Sequence, residues 1–365
     1  MSSIQDLLSP IVTEHPKDGS GADGDRSSRL DSINSLAPIT FVIEYIHDTI
    51  CPFCYIGFRT LLQAIGEFKA RHPHAVFEVT CSPFILGPDA LVSAWLATSK
   101  RRRSLAVSAI PCPAYTKYDY YIKTRGLPAD RISLWSNLGA SVGIRFRWEG
   151  LTGNSRDSHK LLRFALEEHP TIRRSSTAFT SRAAGRDPPP LYPPSILRAP
   201  DHPVEIEQPR GPDLQMRLLD AITHAYHEED RDLSDPAMLL EITARVTGFS
   251  RQAIQEVLDS EEWDRAIDAL SQEVQTRREV QNRDLGPIVA VPTMVINNQW
   301  VYGGFQTVGD LVGQFELLAK GLVPQTEYTR SQMVPMAGTA DTLARDRLTA
   351  LRQVEEEELL VRARA

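Results

Sequence analysis

The chain has 365 residues, 42% of them hydrophobic, and a formal net charge of −7 at pH 7. That is enough apolar material for a sizeable core in one or two domains. The acidic balance excludes a general pull toward nucleic acid or anionic membrane, no stretch nears the roughly 20 apolar residues of a bilayer span, and four cysteines are too sparse for a secreted disulfide scaffold.

In chain order, residues 1–38 mix Ser, Asp and Gly with scattered apolar residues and lack a basic start followed by an apolar signal core, so a disordered leader on an unexported, cytoplasmic protein is expected. Phe41, Val42, Ile43, Tyr45 and Ile46 then form a nearly continuous apolar run, the pattern of a central strand covered on both faces. Phe58, Leu61, Leu62, Ile65 and Phe68 recur at helical spacing until His72-Pro73, and Val76 to Cys81 reads as a second strand. Residues 39–87 therefore form a strand-helix-strand unit.

Residues 88–112, with the basic run Lys100-Arg101-Arg102-Arg103, read as an irregular insertion. Residues 113–286 read as a helical block: Leu214, Leu218, Ile222 and Tyr226 share a face, as do Met238, Ile242 and Val246, and then Trp263, Ile267, Leu270 and Val274. Inside the block, residues 171–212 are crowded with proline and form an irregular loop. From 287 to 322 the period changes. Val289 to Ile296 is a β-type run, Asn297-Asn298 a turn, Trp300 to Tyr302 the hairpin partner, and Thr307 the N-cap of a last helix carrying Val308, Leu311, Val312, Phe315 and Leu318. Residues 323–365 make a charged tail, suited to a solvated helix or to self-association as a homo-oligomer.

The chemistry concentrates in Cys51-Pro52-Phe53-Cys54, at the junction of the first strand and helix. Two cysteines three apart at a helix start can cycle between dithiol and disulfide. Cys51 faces the unsatisfied N–H groups and positive dipole end of the helix, which makes it the expected exposed nucleophile; Pro52 suits the first helical turn, and Cys54, one turn on, is the inner, resolving thiol. No charged residue lies between them, so a moderate redox poise is expected. Competing readings are an inert buried pair or half of a zinc site, but zinc requires about four ligands and no second pair completes the set. No bound metal or cofactor is expected. Val291-Pro292-Thr293 is the second signal, since a proline in a β-type run belongs at an edge or a special turn.

Together these stretches resemble the DsbA-like branch of the thioredoxin superfamily, an α/β thioredoxin-like fold with an inserted all-helical domain, and most of all its FrnE-like members. The resemblance is carried by Asp48 with Cys51 to Gly57, by Pro83-Phe84-Ile85-Leu86, by Gly153 to His159, and by Val291-Pro292-Thr293 through to Gln306. It implies a cytosolic dithiol oxidoreductase in which Cys51 attacks, Cys54 resolves, Val291-Pro292 is a cis bond opposite the pair, and the Val291 backbone pairs with substrate. Phe53, Val291, Pro292 and Thr293 are then the expected substrate-binding residues. Asp48, Asn154 and His159 are the expected supporting ones, and a disulfide-containing protein or small thiol, with glutathione as a co-substrate, is the expected partner. Phe53 stands where the family usually has Trp. Kappa-class glutathione transferases and 2-hydroxychromene-2-carboxylate isomerases share the scaffold but carry serine at the first cysteine position, against which Cys51 argues. Asn154 and His159 equally suit a helix N-cap region and a helix-facing buried histidine. His224 and His227, with Glu228, Glu229 and Asp230, read as a solvated polar face, and Cys81 as a strand-core residue.

The segments 88–112 and 171–212 interrupt an otherwise regular scheme, as translated intervening sequence or as insertions particular to this lineage. For the first of these origins, sequencing of the mature transcript is expected to find a message lacking them; an unbroken message refutes it.

Overall fold

The computed structural model describes residues 39–86, 116–124, 126–169, 207–277, 279–280, 283–284 and 287–322. The expected leader, the 88–112 insertion, residues 171–206 of the proline-rich loop and the charged tail lie outside the described residues.

Strand β1 (Thr40–His47) is built almost wholly of β-branched and aromatic residues, which favour the pleated conformation. It pairs in parallel with β2 (Val76–Pro83), in register from Thr40 opposite Val76 to His47 opposite Pro83. A parallel pair needs a crossover, and α1 (Pro52–Arg71) supplies it. On the other side of β1 lies β3 (Thr293–Ile296), antiparallel, and β4 (Trp300–Gly303) completes the sheet in the order β2-β1-β3-β4. The β3–β4 turn places Asn297 and Asn298 at φ 52° and 50°, the left-handed pair that matches strand twist. Asn297 also ties the hairpin to β1: its Oδ1 accepts from Val42 N–H at 2.8 Å, and its own N–H donates to Val42 C=O at 2.7 Å. Helix α8 (Val308–Ala319) starts with a reciprocal capping box between Thr307 and Asp310. It lies against α1, and Phe41, Phe68, Phe77 and Phe315 interlock there, with centroids 4.6–5.8 Å apart.

Between β2 and β3 come the helices. A short turn, Lys117–Asp119, runs into a π-type turn, Tyr120–Thr124, followed by α2 (Asp130–Ser141), α3 (Arg156–Leu166), α4 (Pro212–Glu228), α5 (Pro236–Thr247), α6 (Arg251–Asp259) and α7 (Glu261–Thr276). Local chemistry sets their ends. Asp235, Ser250 and Ser260 cap the first turns of α5, α6 and α7, and Gly248 takes the left-handed position that ends α5. Helices α3, α4 and α7 pack along β2. There the Gln215 amide accepts from Cys81 N–H at 2.7 Å and donates to Cys81 C=O at 3.3 Å, pairing the outer edge of the strand as a neighbouring strand would. The buried residues of sheet and helices merge into one main core. This is the expected thioredoxin-like α/β fold with helices set between its two halves.

Two sequence expectations need correction. The β-type run from Val289 becomes strand only at Thr293, with Val289 51% exposed, because Pro292 has no N–H to give a ladder and pairing starts after it. The proline-rich loop was expected to run to 212, but Pro212 already opens α4, at the first helical position where a missing N–H costs nothing.

Gly57 in α1 sets how close that helix lies to the sheet. A Cβ there would sit 2.9 Å from the Tyr45 hydroxyl and 3.0 Å from Pro292 Cγ. Gly57→Val is therefore expected to destabilise the protein by about 2 kcal/mol through overpacking, read as a lowered urea midpoint with an unchanged m-value.

Candidate functional site

Cys51 is the N-cap residue of α1, at φ −80° and ψ 117°, with Pro52 following at the first helical position. Its N–H donates to Asp48 C=O at 3.1 Å, and its own carbonyl accepts from Cys54 and Tyr55 N–H at 3.0 and 3.2 Å. The first turn of α1 carries no acidic side chain, so nothing on the helix itself offsets its positive end. Cys54 is fixed from two sides: Tyr45 O–H donates to its carbonyl at 2.6 Å, and Asp48 N–H donates to its Sγ at 3.5 Å. Burial, a hydrogen bond with the Cys51 side chain and the nearby Cys51 and Asp48 charges together push the Cys54 thiol well above its ordinary range. Cys54 is held as a thiol.

Cys51 is not exposed, contrary to expectation: its relative exposure is 0%, against 2% for Cys54. Aromatic side chains from the helical region crowd the start of α1. Tyr121 O–H donates to Ile50 C=O at 2.7 Å, and the Tyr121 ring meets Trp135 edge-on at 5.0 Å. Trp135 meets Phe53 edge-on at 5.6 Å and stacks on Trp148 at 5.8 Å. Phe53, half-buried, is the most accessible residue of the motif. Sequence reasoning missed Tyr121, Trp135 and Trp148; the density of aromatics from Tyr118 to Trp148 was the available signal.

The stretches that carried the resemblance converge here. Asp48 is fully buried; its Oδ1 accepts from Ile50 N–H at 3.3 Å and its Oδ2 from Leu86 N–H at 2.7 Å, which joins it to the Pro83–Leu86 stretch. His159 Nε2, on α3, lies 3.6 Å from Asp48 Oδ1. The His159 ring is 5.1 Å from that of His47, which stacks in turn at 5.7 Å on Tyr45. Thr49 and Ser158 hydroxyls hydrogen-bond at 2.7 Å, a second tie between the cysteine loop and α3. Asn154 Oδ1 accepts from Arg156 N–H at 2.7 Å and shapes the entry to α3. His47 was also missed, because nothing local marks a strand-end histidine as partner to one 112 positions later.

The Val291–Pro292 peptide is cis, and Pro292 packs against Gly57 in the first half of α1. Gly304 N–H donates to Pro292 C=O at 2.7 Å, and Thr293 Oγ1 to Ala290 C=O at 2.9 Å. Among the described residues, no hydrogen bond uses the backbone N–H or C=O of Val291. The expected solvated face of α4 holds only in part. His224 is at the surface, but His227 is buried, stacked on Tyr55 at 5.3 Å and donating from Nε2 to Thr49 C=O at 3.1 Å, while Glu228 accepts from Tyr55 O–H at 2.7 Å. The face turns inward there because it backs the cysteine loop. Cys81 is buried, as read from the strand pattern.

No family model matches this chain, and no curated protein matches it. Solved structures do. A probable DsbA oxidoreductase from Streptomyces coelicolor is 17% identical at a TM-score of 0.50, over 77% of this chain and 90% of that one. A 2-hydroxychromene-2-carboxylate isomerase is 12% identical at 0.40, over 77% and 93%. The cytosolic disulfide reductase DsbM from Pseudomonas aeruginosa, solved with GSH, is 13% identical at 0.34, over 77% and 96%. The first of these, with the topology above, shows a DsbA-like thioredoxin fold.

Burial holds His47 and His227 well below the ordinary histidine range. As pH falls through about 6.5, the unfolded chain therefore binds protons that the folded chain does not, and stability is lost at about 1.4 kcal/mol per pH unit for each histidine. Burial acts oppositely on Asp213 and Asp220, pushed up to about 6: the folded chain takes up those protons first, which restores stability as pH falls from 6 toward 4. His227→Phe keeps the stacking on Tyr55 and is expected to lose one proton's worth of acid sensitivity between pH 6.5 and 5 (both approximate), measured as the pH dependence of the urea midpoint.

Proposed function

Taking the DsbA-like thioredoxin fold as the premise, we propose that this protein is a thiol–disulfide oxidoreductase working through Cys51 and Cys54. One observation carries the reading: Cys51 stands at the N-cap position, at the positive end of α1, while Cys54, one turn on, is kept as a thiol by burial and by its neighbours. In a reductive cycle, the Cys51 thiolate attacks a substrate disulfide. One substrate sulfur bonds to Cys51 and the other leaves with the electron pair. Cys54 then attacks Cys51 Sγ, releasing the second substrate thiol and leaving the Cys51–Cys54 disulfide, which a small thiol such as glutathione reduces. The reverse sequence oxidises a dithiol with the same residues.

Cys51 is buried, and Phe53, packed edge-on against Trp135, is the accessible residue of the motif beside which a substrate would approach. The Val291 backbone, unpaired beside Pro292, suits pairing with an extended substrate segment, and Thr293 holds that turn from behind. A reducing, cytoplasmic setting fits this use of free thiols. The transferase or isomerase alternative has no equivalent need for Cys54.

Cys51→Ser is expected to lower disulfide turnover by about 100-fold or more, followed as insulin or glutathione-disulfide reduction. Cys54→Ser should accumulate a mixed disulfide on Cys51, visible as a mass adduct. Full turnover by Cys51→Ser refutes the mechanism, and glutathione conjugation retained by that variant moves the assignment to the transferase reading.

A further inference from the structure

Beneath the cysteine pair lies a group of buried ionisable side chains that the attack and release steps leave unused. Asp48, His47 and His159 are exposed to 0%, 1% and 3%, and the Nε2 atoms of both histidines have no hydrogen-bond partner among the described residues. His159 Nε2 is 3.6 Å from Asp48 Oδ1, just outside hydrogen-bond length, and Asp48 N–H contacts Cys54 Sγ at 3.5 Å. The two imidazoles are 5.1 Å apart, so their positive forms oppose each other, and burial together with His159 holds His47 well below the ordinary histidine range.

The resolving step poses an electrostatic problem at this point. Cys54 must lose its proton to attack, yet it is buried beside an acidic side chain, and a second negative charge there is costly. We propose that His159, set against Asp48 and His47 under the cysteine pair, is a positioning residue for the resolving step, taking up a proton as Cys54 loses its own so that the buried site gains no net charge. The Cys54 S–H bond breaks, its electron pair forms the bond to Cys51 Sγ, the bond from Cys51 to the substrate sulfur breaks with its electrons on the substrate, and the proton rests on His159 until the leaving thiolate or solvent takes it. This inference rests on the oxidoreductase reading above.

Other ionisable groups around His159 are placed so as to leave it this role. Asp48 and His47 come from the end of β1, Tyr45 from β1, and the two thiols from α1. Tyr121, from the π-type turn, and Tyr226, from α4, sense the Asp48 charge, and burial and neighbouring charges keep both phenols protonated. His227 of α4 is committed to Thr49 C=O. On α3 itself, Lys160 is buried but engaged with Asp157, with Asp264 of α7 and with Leu258 C=O, and Arg156 pairs with Asp268.

The test is stopped-flow reaction of the reduced full-length protein with an aromatic disulfide that releases one coloured thiolate on attack by Cys51 and a second on resolution by Cys54. The second phase follows after Cys51 has reacted, so the titration of Cys51 does not enter it. In wild type its rate is expected to fall about 2-fold or more in deuterium oxide, because a proton moves as the new S–S bond forms. His159→Gln should keep the first phase and slow the second by about 10-fold or more. A second phase of unchanged rate in His159→Gln, with a native near-ultraviolet circular dichroism spectrum, overturns the proposal. Should that variant not fold, wild type decides: a second phase of unchanged rate in deuterium oxide overturns it equally. Absence of the first phase in wild type overturns the oxidoreductase reading and this one together, whereas a first phase abolished by Cys51→Ser with a second phase indifferent to His159 overturns this one alone.

Discussion

The close approach of α1 to the sheet is the constraint on which the site depends. The Tyr45 hydroxyl reaches the Cys54 carbonyl, and Pro292 reaches the same helix, only because residue 57 has no side chain. From that approach follow the position of Cys51 at the helix start, the contact of Asp48 N–H with Cys54 Sγ, and the seat of the Val291–Pro292 turn against the motif. Moving the helix outward by the width of a methyl group would open all three contacts together.

Electrostatics then separates two cysteines that composition alone makes equivalent. Both are buried, so solvent access does not distinguish them. What does is place: Cys51 is the N-cap residue of α1, its side chain making no cap hydrogen bond, whereas Cys54, one turn on, receives the Asp48 N–H on its sulfur and is kept protonated by burial and neighbouring charge. The helices between β2 and β3 take part in this. They bring His159 to Asp48 and the Tyr121 and Trp135 rings to the rim, so the thioredoxin-like half of the chain does not hold a finished site by itself.

Most of the architecture was legible in the sequence because it is written in local patterns. The apolar run at Phe41–Ile46, the helical spacing from Phe58 to Phe68, the Asn297-Asn298 turn and the Thr307 cap each declare themselves within a few residues, and each forms as read. Of the candidate site, the Cys-Pro-Phe-Cys spacing at a helix start is the part written locally, while the roles of Asp48, His159 and Val291-Pro292 entered through the resemblance. The site's remaining parts are contacts across long sequence separations: His47 with His159, Ile50 with Tyr121, Thr49 with His227. No periodicity records such pairs. The misplaced exposure of Cys51 and of His227 has the same origin, since each is covered by a partner that only the folded chain brings near.

The Gln215 amide on Cys81 has a consequence for how this protein meets other chains. An open strand is a template on which a foreign strand can grow, and a single side chain that satisfies both backbone groups of Cys81 interrupts that template in the C-terminal half of β2. Among the described residues β2 and β4 are the two borders of the sheet, and a strand added at β2 would have to displace the Gln215 amide from Cys81.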